Sequence, residues 1–292
     1  MKNLLQYWSL RLASGVVSLL PAGVARSLGR MAGRIWHAFA GGRRGMAERH
    51  MRRVLGEDAD VRANAAAVMA SYGRYYAEAL WVRGGRVPEL QRGITTEGLD
   101  RIIEARDRGK GMIYALPHIG NWEVAAPVAI AEGVPVVAVA ENLPNHRITD
   151  WFTKMRGEFG IEIVLATGGT EVMRKLESAL AANKAVALLS DRDLRGKGVP
   201  VVFFGEETTM PPGPATLALR SGAPLFPVAC YFDGRTRYRV VVRPALAVPE
   251  NGSRSDRIKA MTQELADELE SLVRKAPDQW HLVQPNWPSD RE

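Results

Sequence analysis

Cysteine is almost absent from this chain of 292 residues: Cys230 stands alone, so no intramolecular disulfide can form and nothing demands an oxidising compartment. The five histidines include no Cys/His cluster, which argues against a structural metal. Acidic residues are scarce at the N-terminus. Residues 1–53 carry ten Lys and Arg against Glu48 alone, a local charge of +9, so with +7 overall the remaining 239 residues carry −2. A basic end on a near-neutral body points to one anionic partner surface, either membrane or nucleic acid. Nucleic acid is disfavoured, because no zinc-finger, helix-turn-helix or aromatic ribonucleoprotein motif accompanies the charge. Bilayer-length apolar runs are missing too: residues 1–20 hold only Lys2 and Arg11 as charges, but Arg11 interrupts the run. No small-residue cleavage site follows, which argues against a signal peptide. Gly168-Gly169 lacks the Lys-Ser/Thr of a nucleotide loop, and the absence of Gly-x-Ser-x-Gly argues against a hydrolase nucleophile elbow.

What the N-terminus does contain is amphipathic. Residues 1–20 read as an interfacial helix. Residues 24–39 place Arg26, Arg30 and Arg34 four apart on one face, with Leu28, Met31, Ile35, Trp36 and Phe39 on the other. That arrangement suits a helix lying in a headgroup layer, and an ordinary packed surface helix is the alternative. Residues 41–53 read as a basic connector containing His50, and 58–81 as a helix whose Arg74 either reaches a substrate phosphate or is solvated. The chain thus divides into basic, membrane-associating helices (1–53) and one α/β globular unit (54–292).

From Gly109 onward the pattern alternates between strand and helix. Strands are predicted at 112–116, 135–140, 162–165, 185–190, 199–204, 225–232 and 238–242, and helices at 121–132, 148–159, 170–182, 214–221 and 254–274. The expected fold is α/β: a largely parallel, mixed central sheet flanked by helices, preceded by the amphipathic N-terminal region. Ligands of such sheets gather beyond the carboxyl ends of the strands. His118, Glu141 and Asp191 all fall just past predicted strand ends. Pro127 is expected to kink the 121–132 helix.

The stretch Leu116-Pro117-His118-Ile119-Gly120-Asn121-Trp122-Glu123 turns from strand to helix, with Asn121 placed as the N-cap. Histidine acts as a base when a carboxylate holds Nδ1–H and leaves Nε2 free, and Glu123 stands five residues away across the corner. The plainer alternative is a capped corner in which both side chains serve structure. His37, His50, His146 and His281 lack an acidic partner at a comparable corner and are treated as incidental.

This stretch resembles the His-x4-Asp/Glu box of the glycerolipid acyltransferase superfamily. Its Gly-Asn-Trp filling is similar to that of the lipid A late acyltransferases and their actinobacterial relatives, the phosphatidylinositol mannoside acyltransferases. The resemblance extends through Ala140-Glu141, Trp151-x4-Arg156, Ser190-Asp191-Arg192-Asp193 and Phe203-Phe204-Gly205, and the tail from Gln279 to Trp287 resembles that of the mannoside enzymes. It implies that His118 activates an acceptor hydroxyl to attack an acyl thioester. It makes Asp191 a second contender for orienting the histidine, although Asp stands here where an acidic residue one methylene longer is expected. It places Glu141 near the acceptor and gives Arg156 a phosphate-binding role; Arg192, Arg195 and Lys197 either cradle phosphates or form a solvated basic loop. Trp122 and Asn121 join the substrate-binding set through the box.

The expectation is a peripheral acyltransferase on the cytoplasmic face of the inner membrane, moving a long acyl chain from acyl-CoA, its co-substrate, to a mannose of a phosphatidylinositol mannoside. Backbone N–H groups from Gly120 to Trp122 are expected to hold the oxyanion. Neither cofactor nor metal nor nucleic acid is expected. Alternatives are a lipid A or lysophospholipid acyltransferase and, from a different class, a noncatalytic lipid-binding adaptor.

Overall fold

Apolar segments between residues 94 and 242 assemble a seven-stranded sheet in the computed structural model, which describes residues 2–82, 86–166, 170–194 and 196–291. Its strands are β1 (Ile94–Glu97), β2 (Met112–Leu116), β3 (Val136–Ala140), β4 (Ile161–Leu165), β5 (Ala185–Leu189), β8 (Leu225–Asp233) and β9 (Arg237–Val242), in the order β1-β9-β8-β2-β5-β3-β4. All pairings are parallel except β8 with β9, so the sheet is mixed and largely parallel as expected. Two further strands, β6 (Val199–Phe203) and β7 (Glu206–Met210), form a separate antiparallel hairpin. Its two-residue turn needs positive φ at Phe204 (51°) and Gly205 (77°), the conformation that matches strand twist in tight hairpins.

Strand β2 explains the layering. All five of its residues are buried, but alternate ones enter different cores: Ile113 and Ala115 one, Met112, Tyr114 and Leu116 the other. The first core is completed by α9 (Thr170–Ala181), α10 (Gly213–Ser221) and α11 (Arg254–Arg274), the second by α6 (Leu99–Asp107), α7 (Ala126–Ala131) and α8 (His146–Glu158). A short helix, α5 (Val87–Gln91), precedes β1.

Helices α1 (Lys2–Val17), α2 (Ala22–Phe39), α3 (Gly41–Leu55) and α4 (Val61–Trp81) form the N-terminal part. Asp60 caps α4 by accepting from the Ala63 N–H. The α2–α4 seam is built on glycine: a Cβ on Gly33 would stand 2.0 Å from the Met69 carbonyl oxygen, and one on Gly73 2.1 Å from that of Gly29. Among the described residues no helix is long and apolar enough to cross a membrane. The outward faces of α1 and α2 nevertheless expose Leu5, Trp8, Leu12, Leu28, Met31 and Ile35, and Phe39 and, in the turn between the helices, Leu19 are both 84 % exposed.

Several expectations need correction. Residues 41–53 are helix rather than connector, because Ala47, His50, Met51 and Val54 make one buried stripe. Arg26 does not share the exposed stripe of Arg30 and Arg34; it is buried, donating to Glu78 and to the Tyr238 hydroxyl. The predicted 121–132 helix is a 3-10 turn (Trp122–Ala125) running into α7, with Pro127 in the first turn of α7, where its missing N–H is harmless, so no kink arises. Gly168-Gly169 and Arg195 lie outside the described residues.

Candidate active site

β2 ends at Leu116 and β5, its neighbour, at Leu189, so His118 and Asp191 emerge side by side. The His118 ring nitrogen Nδ1 lies 2.6 Å from Asp191 Oδ1, and the His118 backbone N–H donates to Oδ2 at 2.9 Å. The Trp280 indole N–H also donates to Oδ2, at 2.8 Å, and the Asn286 side chain donates to the Asp191 carbonyl. Asp191 is fully buried. Burial opposes its ionisation, but the adjacent His118 and the donors from His118 and Trp280 outweigh it and hold the carboxyl below its usual range. The His118 side chain remains 27 % exposed, and its Nε2 has no hydrogen-bond partner among the described residues. The buried anion sets the ring's tautomer and leaves Nε2 open, the geometry a general base requires.

Glu123, expected as the leading partner of His118, points elsewhere. Its Oε1 accepts from Arg156 Nε at 2.9 Å and from the Tyr75 hydroxyl at 3.2 Å, a buried ion pair with no bond to the histidine. Burial disfavours the Arg156 charge, yet Glu123 more than compensates and raises its pKa. Arg156 thereby braces the corner through Nε while its side chain stays partly exposed. Trp122 packs edge-on to His118 at 5.4 Å and stacks on Tyr75 at 4.1 Å. Between these groups and the sheet lies a narrow slot of about 60 Å³, lined by Leu116, Trp122, Ala126, Ala138, Ile163 and Leu189 among others, with Glu123 and Arg156 in its wall.

Asn121 holds the N-cap position, but its side chain makes no cap bond; it donates to Glu78 Oε2 at 2.7 Å. Glu78 also accepts from Arg26 and Arg74, tying α2 and α4 to the corner. Arg74 is only 1 % exposed, bonded to Glu78 and to the Gly234 carbonyl, so it is not solvated. Gly120 is required at φ +57°, where a Cβ would meet the Cys230 carbonyl oxygen at 2.0 Å. The expected oxyanion cradle is partly occupied: Gly120 N–H donates to Gln279 and Asn121 N–H to Cys230. Of the three, the Trp122 N–H alone lacks an acceptor among the described residues.

Glu141 is exposed past β3, with no hydrogen bond or ion pair among the described residues, and Arg192 is half-buried beside Tyr72. Asp193 braces its own loop, accepting from the Gly198 N–H and the Thr209 hydroxyl. Two histidines set aside as incidental are structural. His50 lies buried between the Leu282 carbonyl and Asp290. His281 donates its backbone N–H to the His118 carbonyl and contacts the Ser71 hydroxyl through Nε2. Burial, with the nearby His118, lowers the His281 pKa to about 3, so its ring is neutral. Tyr75, Glu78, Trp280 and Asn286 went unmarked in the sequence. The only signal for them was the tail's resemblance and the Arg74/Glu78 spacing on α4.

A buried acid thus stands behind a strand-end histidine, next to an apolar slot. The chain belongs to the bacterial lipid A biosynthesis acyltransferase family, whose model matches residues 2–289. It is 37 % identical over 230 residues to the phosphatidylinositol mannoside acyltransferase of Mycolicibacterium smegmatis, covering 77 % of this chain and 72 % of that protein. Identity to the enzyme of the same name from Mycobacterium tuberculosis is 36 % over 232 residues, covering 77 % and 70 %. A lipid A biosynthesis acyltransferase of Haemophilus influenzae is more distant, 26 % identical over 196 residues, covering 65 % and 58 %. The chain is an acyltransferase.

Proposed function

We propose that the protein transfers a long-chain acyl group, palmitoyl in the first instance, from acyl-CoA to a mannose hydroxyl of a phosphatidylinositol mannoside at the cytoplasmic face of the membrane. The contact that carries the mechanism is His118 Nδ1 to Asp191 at 2.6 Å, which leaves Nε2 open. The names of the two mycobacterial relatives support the acceptor class.

In the proposed reaction His118 Nε2 takes the proton from the mannose hydroxyl as its oxygen attacks the thioester carbonyl. The imidazolium is stabilised by Asp191, and the Trp122 N–H faces the developing oxyanion. Collapse of the tetrahedral intermediate breaks the C–S bond, and the proton on Nε2 passes to the departing thiolate. Glu141 and Arg192 are candidates for holding the acceptor near the dyad, whereas Asn121 is buried and bonded to Glu78. The acyl chain occupies the slot beside Trp122. The exposed Leu, Trp, Met and Phe side chains of α1 and α2 seat the enzyme peripherally in the bilayer.

The test is thiol release from palmitoyl-CoA with mannosylated phosphatidylinositol, a lipid A precursor or a lysophospholipid as acceptor. Release dependent on the mannolipid supports the proposal. Equal or greater turnover with either of the other acceptors overturns the acceptor assignment, and no release with any of them points to a noncatalytic lipid binder.

A further inference from the structure

A second cavity, about 1010 Å³, lies on the far side of the His118 corner between α2, α4 and the β8–β9 turn. Its walls carry five guanidiniums: Arg26, Arg30, Arg34, Arg74 and Arg235. Arg26 and Arg74 share Glu78, and Asp278 also lines the cavity but forms no ion pair with any of them among the described residues. Five cations against two carboxylates leave a local excess of +3. Arg30, Arg34 and Arg235 are exposed and have no hydrogen-bond or ion-pair partner among the described residues. Arg74 is almost completely buried, and its Nη2 has no hydrogen-bond partner while the residue lines the cavity floor. Burial, together with the neighbouring Arg74 and Arg34, lowers the pKa of Arg30. A cluster of this kind is incomplete without an anion, and planar guanidiniums bind phosphate oxygens in pairs.

The rim identifies where the anion comes from. Val24, Leu28 and Met31 line the same cavity and are themselves exposed, continuing along α2 to Ile35 and Phe39. A soluble phosphate has no use for that apolar margin. A glycerophospholipid uses both, its phosphate among the arginines and its chains along α2 into the bilayer. We infer that this cavity is a binding site for the phosphodiester headgroup of an anionic glycerophospholipid of the membrane. The wall residue Gln279 accepts from the Gly120 N–H, so the bound headgroup lies against the back of the corner that carries His118. The inference stands whether or not the acyl acceptor is a mannolipid.

The experiment is calorimetric titration of the full chain with monomeric dihexanoyl-phosphatidylglycerol, dihexanoyl-phosphatidylcholine, inorganic phosphate and coenzyme A. The variants are Arg30→Ala/Arg34→Ala/Arg235→Ala and, matched in charge but outside the cavity, Arg108→Ala/Arg174→Ala/Arg254→Ala. The expected result is binding of phosphatidylglycerol at least tenfold tighter than phosphatidylcholine or phosphate, weakened at least tenfold by added salt and by the cavity variant and unchanged in the control. Melting curves report whether each variant is folded. Unaltered phosphatidylglycerol binding in a folded cavity variant overturns the inference, as does equal loss in the control. Loss of coenzyme A binding alone overturns it too, by making the cavity a site for the donor's phosphates. These readouts involve no acyl transfer, so they fail or succeed independently of the proposed reaction.

Discussion

Replacing Asp191 by Asn removes one charge from a buried site while preserving its shape, and the hydrogen bonds dictate how the amide must sit. Oδ2 accepts from both the His118 backbone N–H and the Trp280 indole, so only the amide oxygen can take that position. The NH2 then occupies the place of Oδ1, 2.6 Å from His118 Nδ1, and donates to it. Nδ1 becomes an acceptor, the ring proton moves to Nε2, and Nε2 can no longer take a proton from the acceptor. The imidazolium also loses its counter-charge, worth about 4 kcal/mol for centres about 4 Å apart at an effective dielectric of 20. At tenfold per 1.36 kcal/mol, acyl transfer falls by about 10³-fold or more. Stability should change little, because every donor to the side chain keeps an acceptor, with the melting shift below about 5 °C. The assay is steady-state thiol release from acyl-CoA beside a thermal melt of the same sample. A folded Asp191→Asn protein within tenfold of the parent kcat would refute the assignment of His118 as a base oriented by this carboxylate.

Glu123→Gln should show the opposite balance: it strips the counter-charge from Arg156, destabilising by about 1–3 kcal/mol given that Arg156 keeps some solvent, while kcat falls far less than in Asp191→Asn. Paired melts and rates on the two variants decide between the carboxylates. Gly120→Ala forces a Cβ against the Cys230 carbonyl at a φ of +57° and should cost at least about 2 kcal/mol together with most activity, read by denaturant titration and thiol release. His281 has a folded pKa of about 3 against an ordinary 6.5, so the unfolded chain binds the extra proton between those values. Its contribution is complete above pH 6.5 and is lost as pH falls towards 3, by up to about 1.4 kcal/mol per pH unit, and His281→Asn should flatten that slope in melts taken from pH 7 to pH 4. Leu12→Glu combined with Met31→Glu, both at exposed sites, should reduce co-sedimentation with anionic vesicles at least tenfold without lowering the melting temperature.

Much of the α/β core was readable because its signals are local. β2 and β5 are apolar at every position, which marks strands covered on both faces, and α11 repeats its apolar stripe over six turns behind a Ser253–Asp256 capping box. α3 escaped detection because Gly41, Gly42 and Gly45 weaken helix propensity and its arginines hide the buried stripe, so the helix exists by packing. β1 and β7 contain Thr and Glu and only four or five residues, too few for a period to show. In the site, sequence proximity favoured Glu123 as the histidine's partner. Strand order decided otherwise, because β5 lies beside β2 and carries Asp191 to the His118 ring 73 positions away along the chain. The anchors Trp280 and Asn286 follow Asp191 by about 90 residues, and no spacing rule connects them.

The tail that grips Asp191 is the last part of the described chain to leave a ribosome. Until Trp280, Asn286 and Asp290 dock, the acid behind the histidine has no indole to fix it and His50 no carboxylate to close over. Docking of this tail is therefore the step that finishes the pair formed by His118 and Asp191.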